Sequence, residues 1–303
     1  MKYDRLPDHL LTQLDTPVTR VRQQMRDEAL GIRFAVPWPF PAITQGTKAL
    51  LPGTVTLVCG MPGSAKSWFM IQCVVHWVRA RLRVAMLELE SDREFHLRRA
   101  LAQIASAPQL TDDTWCKENH DQADYLLEQN APLLEDVAAS LYDAPDKAMS
   151  TREILSWISE MATKGARLIC IDPITAMEPS KEPWIDDTRL LVEARKIIRK
   201  TGSSLVLVTH PKKGVLGGDT SLDSLAGGAG YQRFSDTVLW IKSLHPPEDK
   251  QCVSPMGTTT FPINRTVHIY KARSGMGTGW EIGFDFAPSS LTFIERGLVV
   301  SDE

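Results

Sequence analysis

From residue 53 onward, two kinds of apolar pattern alternate along the chain. Short, almost continuous apolar runs, "TVTLVCG", "RVAMLELE", "RLICID" and "SSLVLVTH", are separated by longer segments with apolar residues every three or four positions. The first kind predicts strands buried on both faces, and the second predicts helices that cover them. The predicted helices are "AKSWFMIQCVVHWVRA", "REFHLRRALAQIA" with its basic face outward, "STREILSWISEMATKG" and "TRLLVEARKIIRK". In the third, Ser150 and Glu153 have the spacing of a capping box and Gly165 supplies the stop. "SLYDAP" reads as a further short strand, and residues 112–135 as a polar, then helical elaboration on the edge. After the strand ending at His210 the pattern changes to a long glycine-rich loop and then to β structure: "TVLWIKSL", "RTVHIYKA", "GWEIGFDF" and "LTFIE". The fold class expected from this pattern is α/β, with a mostly parallel central sheet covered on both faces and antiparallel C-terminal strands.

Two segments precede this core. Residues 1–30 carry Leu10, Leu11, Leu14, Val18, Val21, Met25 and Leu30 at roughly helical spacing, with Pro17 as an expected break. They predict a helical arm, laid on the body of the protein or docked on a neighbouring subunit. Residues 31–52 are rich in proline and aromatics and predict an ordered linker pinned by Trp38 and Phe40. Residues 53–303 form the core.

Composition changes this picture little. The chain has 303 residues, 43% of them hydrophobic and 23% charged, enough for one full core. A net charge of -3 excludes a uniformly basic nucleic-acid binder but leaves room for basic loops on one face. The 5 cysteines, Cys59, Cys73, Cys116, Cys170 and Cys252, form no CxxC pair, which predicts free thiols in a reducing cytosol. The N-terminus lacks the apolar stretch of a signal peptide, and no apolar run is long enough to span a membrane.

The chemistry begins at "CGMPGSAKSW", residues 59–68. A buried strand precedes it and a helix follows, the context a phosphate-binding loop requires. Backbone N–H groups from Gly60, Met61, Pro62, Gly63, Ser64, Ala65, Lys66, Ser67 and Trp68 would enclose an anion, save at the proline, which has none. Lys66 is placed to reach the β- and γ-phosphates of ATP, and the Ser67 hydroxyl to ligate Mg²⁺. Ala65 stands where the pattern usually has glycine. Its methyl costs little at negative φ and about 1 kcal/mol or more at positive φ.

Other strand ends supply the remaining parts. Asp172, ending "RLICID", is the expected acidic partner of Mg²⁺. Glu88 and Glu90 end "VAMLELE" and would share a face if the strand is regular that far; either is a candidate base. His210 ends the next strand and is placed to sense the γ-phosphate. Lys212 and Lys213, in the loop that follows, and Arg233 beyond it are candidates for nucleic-acid phosphates. Lys271 and Arg273, two apart on a late strand, form a cation pair suited to a partner subunit's γ-phosphate.

In this order the motifs resemble the RecA-fold ATPase domain of ring helicases of the DnaB-type and RepA-type replicative family, over residues 31–296. "GMPGSAKS" and "RLICID" resemble its Walker A and Walker B segments. In "RVAMLELESDREFHLRRAL" the residue directly before the helix, Glu90, matches its catalytic glutamate. "VTHPKKG" resembles its sensor segment, and "YKARSGMGTG" the strand whose lysine and arginine enter a neighbour's site. The resemblance implies a P-loop NTPase of RecA-like three-layer fold that works as an ATP-hydrolysing hexameric ring with single-stranded DNA in its channel, cytoplasmic and bacterial, plasmid- or phage-encoded. A primase or other replication protein is an implied partner. "SLAGGAGYQRF" corresponds to a channel loop but carries little positive charge. A RecA-like recombination or annealing ATPase and a nucleotide-gated clamp or loader remain open beside the helicase.

Overall fold

The computed structural model describes residues 16–178, 183–212, 220–226 and 228–300. Helices α1 (Pro17–Ala29) and α2 (Pro41–Thr47) lead into β1 (Val55–Gly60), α3 (Lys66–Arg79), β2 (Val84–Glu88) and α4 (Arg93–Ile104). Then follow α5 (Asp113–Glu118), α6 (His120–Ala138), β3 (Leu141–Asp143), α7 (Thr151–Thr163), β4 (Leu168–Asp172), α8 (Pro183–Thr201) and β5 (Ser204–Thr209). Last come α9 (Gly228–Phe234), β6 (Thr237–Ser254), β7 (Gly257–Ala272), β8 (Glu281–Ala287) and β9 (Thr292–Val299).

The strands form one sheet in the order β3-β2-β4-β5-β1-β6-β7-β8-β9. Strands β1 to β6 pair in parallel and β6 to β9 antiparallel, as the sequence pattern implies. Two apolar cores lie on its two faces. Phe69, Val74 and Trp77 of α3 pack on one with Met86, Cys170 and Val208. Ile154 and Ile158 of α7 and Leu191 and Ile198 of α8 pack on the other with Leu57, Ile171 and Leu207. A third, small cluster joins α4 to α5 and α6, the predicted edge elaboration. All five cysteines are free thiols. Among the described residues no helix is long and apolar enough to cross a membrane.

Several expectations change. Pro17 starts α1 rather than breaking a helix: Thr16 caps it, and proline at the first position loses no hydrogen bond. No residue of α1 is buried, and Val18, Val21 and Met25 are exposed by more than half. Leu10, Leu11 and Leu14 lie outside the described residues. The linker contains a helix, α2, and Trp38 and Phe40 are buried against Phe69 of α3. The late strands are longer than their apolar runs. Strands β6 and β7 form a ribbon through Pro246, Pro247 and Pro262, with a register jump between Ser243 and Glu248 that takes up two of those prolines. Part of the expected channel loop is helical: α9 buries Tyr231, whose hydroxyl faces Asp187.

Candidate nucleotide site

Lys66, Ser67, Glu90, Asp172 and His210 all follow or end the carboxyl ends of parallel strands, where ligands bind in such sheets. The loop after β1 returns at Ala65 to start α3. Ala65 has φ +71° and ψ +30°, the left-handed conformation, so its methyl carries the larger of the two expected costs. Gly60 is required for space: a Cβ there would lie 2.5 Å from Ser64 Oγ and 2.6 Å from the Ile241 carbonyl. Lys66, buried in the first turn of α3, donates from Nζ to the carbonyls of Gly60 (2.7 Å) and Met61 (3.1 Å). Desolvation lowers its pKa, against the opposing pull of Cys59, Asp172 and Glu90. The Ser64 hydroxyl is buried without a partner.

Asp172 ends β4 and is 5% exposed. It is hydrogen-bonded to Ser67, yet its Oδ2 is buried with no partner. Burial first, and neighbouring Glu88 second, push its carboxyl up to about 7, against His96, the Ser67 hydrogen bond and Lys66. A carboxylate and a hydroxyl facing each other beside the Lys66 ammonium fit Mg²⁺, which takes few protein ligands and completes its shell with water and phosphate oxygens. Among the described residues no three His, Cys, Asp or Glu side chains converge as a ligand set. When bound, the ion would neutralise negative charge that develops on the phosphates. Ser67 and Asp172 would hold it.

The two glutamates separate. Strand β2 stops at Glu88, so Glu90 does not continue its alternation. Glu88 is 1% exposed, and its Oε2 lies 2.9 Å from His96 Nε2 of α4. Desolvation pushes the Glu88 carboxyl up to about 8 and the His96 imidazole down to about 4. Glu90 is exposed and lines the cleft with Lys66, Ser67, Asp172 and His210. Only Glu90 is therefore open to an incoming water. His210 is half-buried, its Nδ1 without a partner; burial and then Lys66 depress its pKa, against Glu90.

The cleft, about 330 Å³, has walls the sequence reading overlooked: Trp68, Arg99, Arg265 and Phe286. The Arg99 guanidinium sits over the rings of Phe95 (4.1 Å) and Trp68 (4.7 Å), and Arg265 over Phe286 (5.5 Å). The basic face of α4 is thus only partly outward, since Arg99 turns into the site. His96, Arg99 and Gln103 recur at i, i+3 and i+7, a polar stripe on the face that also buries Ala100. That stripe was the available signal. Gln103 donates to the Trp68 carbonyl (3.1 Å) and fixes α4 against the start of α3.

Lys271 and Arg273 are brought together, but not at this cleft. Lys271 Nζ donates to the Gln232 carbonyl. Arg273 bonds Asp236 Oδ1 (3.2 Å) and the Arg233 carbonyl (3.3 Å). Asp236 also receives Arg195 (2.6 Å) and the Val55 amide (3.0 Å), at the opening of β1. Ala272 aligns through Thr237 with Thr56, whereas the phosphate loop leaves β1 at Gly60. Four residues of strand, roughly 13 Å, separate the two ends. Lys212 and Arg233 are exposed; Lys213 lies outside the described residues.

Fold and cleft define a P-loop ATPase domain of RecA-like architecture. The chain belongs to the AAA domain family (AAA_25), whose model matches residues 28–215. Among solved structures it is similar to "The Structure Of A DnaB-Like Replicative Helicase And Its Interactions With Primase", with a TM-score of 0.69 and 16% identity over 96% of this chain and 67% of that one. It is also similar to a second solved structure, an ATPase domain, with a TM-score of 0.72 and 15% identity over 93% of this chain and 99% of that one. No curated protein sequence matches it.

Proposed function

We propose that this chain is the motor of a replicative ring helicase of the DnaB/RepA-like type, hydrolysing ATP between subunits to move along single-stranded DNA and part the duplex. The observation that carries this reading is the separation of Lys271 and Arg273 from the chain's own phosphate loop by the length of β1. A cation pair at that end cannot serve its own cleft, but it can serve the cleft of a neighbour stacked head to tail. In the proposed roles, Lys66 holds the β- and γ-phosphates and Ser67 and Asp172 hold Mg²⁺. Glu90 takes the proton of the attacking water, and His210 reports the γ-phosphate. Arg273, with Lys271, stabilises the charge on a neighbour's transferring phosphoryl group.

The N-terminal helix supports the ring. Its apolar face is uncovered, and α1 carries Arg20, Arg22 and Arg26. A groove of about 430 Å³ between α4, α5 and α6 is lined by Leu97, Leu101, Leu110, Leu127 and Leu134. Its wall α6 bears Asp121, Asp124, Glu128, Glu135 and Asp136 and no lysine or arginine. Shape and charge suit the α1 arm of a second copy. Lys212, Lys213 and Arg233 are the proposed DNA contacts, and a primase or other replication protein the proposed partner. Electron microscopy with an ATP analogue tests the assembly: closed six-membered rings are expected, and helical filaments would contradict it. Strand separation fuelled by ATP tests the activity; slow turnover indifferent to single-stranded DNA would point instead to a nucleotide-gated clamp.

A further inference from the structure

The Glu88–His96 pair has no place in the roles just assigned. Glu88 and Asp172 end neighbouring parallel strands and are register partners, so their side chains leave the same face of the sheet, beneath α4. Both are buried, and each keeps one oxygen without a partner: Oε1 of Glu88 and Oδ2 of Asp172. The contact with His96 does not explain this, because it engages only Oε2 of Glu88 and leaves Oε1 desolvated. Glu88 does not line the cleft that Asp172 shares with Lys66 and Ser67, which sets it behind Asp172 rather than among the direct ligands. A buried acceptor beside Asp172 suits the waters that Mg²⁺ retains when it binds through few protein groups. His96, held on α4 next to the Asp92 cap, fixes the rotation of the Glu88 carboxyl, as outer-shell partners do at metal sites.

We infer that Glu88, braced by His96, is a second acidic group of the Mg²⁺ site: a positioning residue that accepts hydrogen bonds from the ion's water shell. The inference rests on reading the cleft as a Mg²⁺–ATP site. Its test is the metal affinity of the nucleotide complex, read as Mn²⁺ binding by electron paramagnetic resonance in the full chain with ADP. Glu88→Gln should weaken Mn²⁺ binding on the order of 10-fold or more while nucleotide affinity in EDTA stays at the wild-type value. His96→Ala should shift it in the same direction, and His96→Gln, which keeps an N–H donor, should restore much of it. Glu90→Gln should keep wild-type metal affinity while losing hydrolysis. Metal affinity within twofold of wild type in both Glu88→Gln and His96→Ala would overturn the inference. Should Glu88→Gln not fold, the two His96 variants read the same quantity. If the wild-type chain binds no nucleotide, the reading of the cleft fails and the inference with it, an outcome distinct from a bound nucleotide whose metal ignores Glu88.

Discussion

The two ends of β1 carry comparable charge and treat it differently. At the carboxyl end, Ser64 Oγ, Asp172 Oδ2, Glu88 Oε1 and His210 Nδ1 are all buried or half-buried without partners. At the amino end, the Asp236 carboxylate is saturated by Arg195, Arg273 and the Val55 amide, although Arg195 Nε and the adjacent Ser235 hydroxyl are buried without partners. Unmet polar atoms cost stability and persist where a ligand meets them; a satisfied carboxylate holds the fold. The contrast also explains how Arg273 can serve elsewhere. It is about half exposed, and Arg195, 12% exposed, keeps Asp236 paired if Arg273 leaves.

The largest expected effect comes from emptying the carboxyl end. Lys66→Ala should abolish nucleotide binding and with it ATP turnover, measured as phosphate release. Unchanged turnover would place the nucleotide elsewhere. At the amino end the comparison separates two neighbours. Arg273→Ala should cut turnover on the order of 10³-fold and leave nucleotide affinity and melting temperature nearly unchanged. Asp236→Ala should instead destabilise the fold by about 3 kcal/mol, because it strands Arg195. Equal destabilisation in both would make Arg273 a structural residue.

A smaller effect concerns protons. Glu88 titrates at about 8 and Asp172 at about 7 in the folded chain, against 4.5 and 3.8 for unperturbed carboxyls. The folded state therefore keeps protons that the unfolded state releases, and this contribution is lost as pH rises through about 4 to 8. His96, depressed to about 4 from 6.5, acts oppositely and only on the acid side of that range. Without metal or nucleotide, Glu88→Gln should lose less thermal stability than wild type between pH 6 and 9. Parallel melting profiles would remove Glu88 from the titration. The smallest effect is Ala65→Gly, which relieves a left-handed alanine and should stabilise by about 1 kcal/mol in denaturant unfolding.

Much of the carboxyl end was legible because local rules write it. A buried strand, a glycine-bearing turn and Lys66-Ser67 at a helix start declare the loop, and Asp172 at the end of an apolar run declares the proposed metal partner. What escaped depends on tertiary placement. Arg265 and Phe286 reach the cleft from β7 and β8, and nothing in the sequence ties them to residue 66. The fate of Glu88 hinged on where β2 stops, a boundary that pairing with Asp143 and Asp172 sets. The long β6–β7 ribbon hid behind prolines that a register jump accommodates. The backbone angle of Ala65 is likewise invisible in the letter itself.

The central claim is that one subunit's cleft is completed by its neighbour's Arg273, and mixed assemblies test it most directly. Arg273→Ala keeps its own Glu90, while Glu90→Gln keeps its own Arg273; each alone should be nearly inactive. Where a Glu90→Gln subunit lends its arginine to an Arg273→Ala cleft, one complete site forms. ATP turnover of the mixture should therefore exceed the average of the two parents several-fold, and turnover no greater than that average would contradict the account.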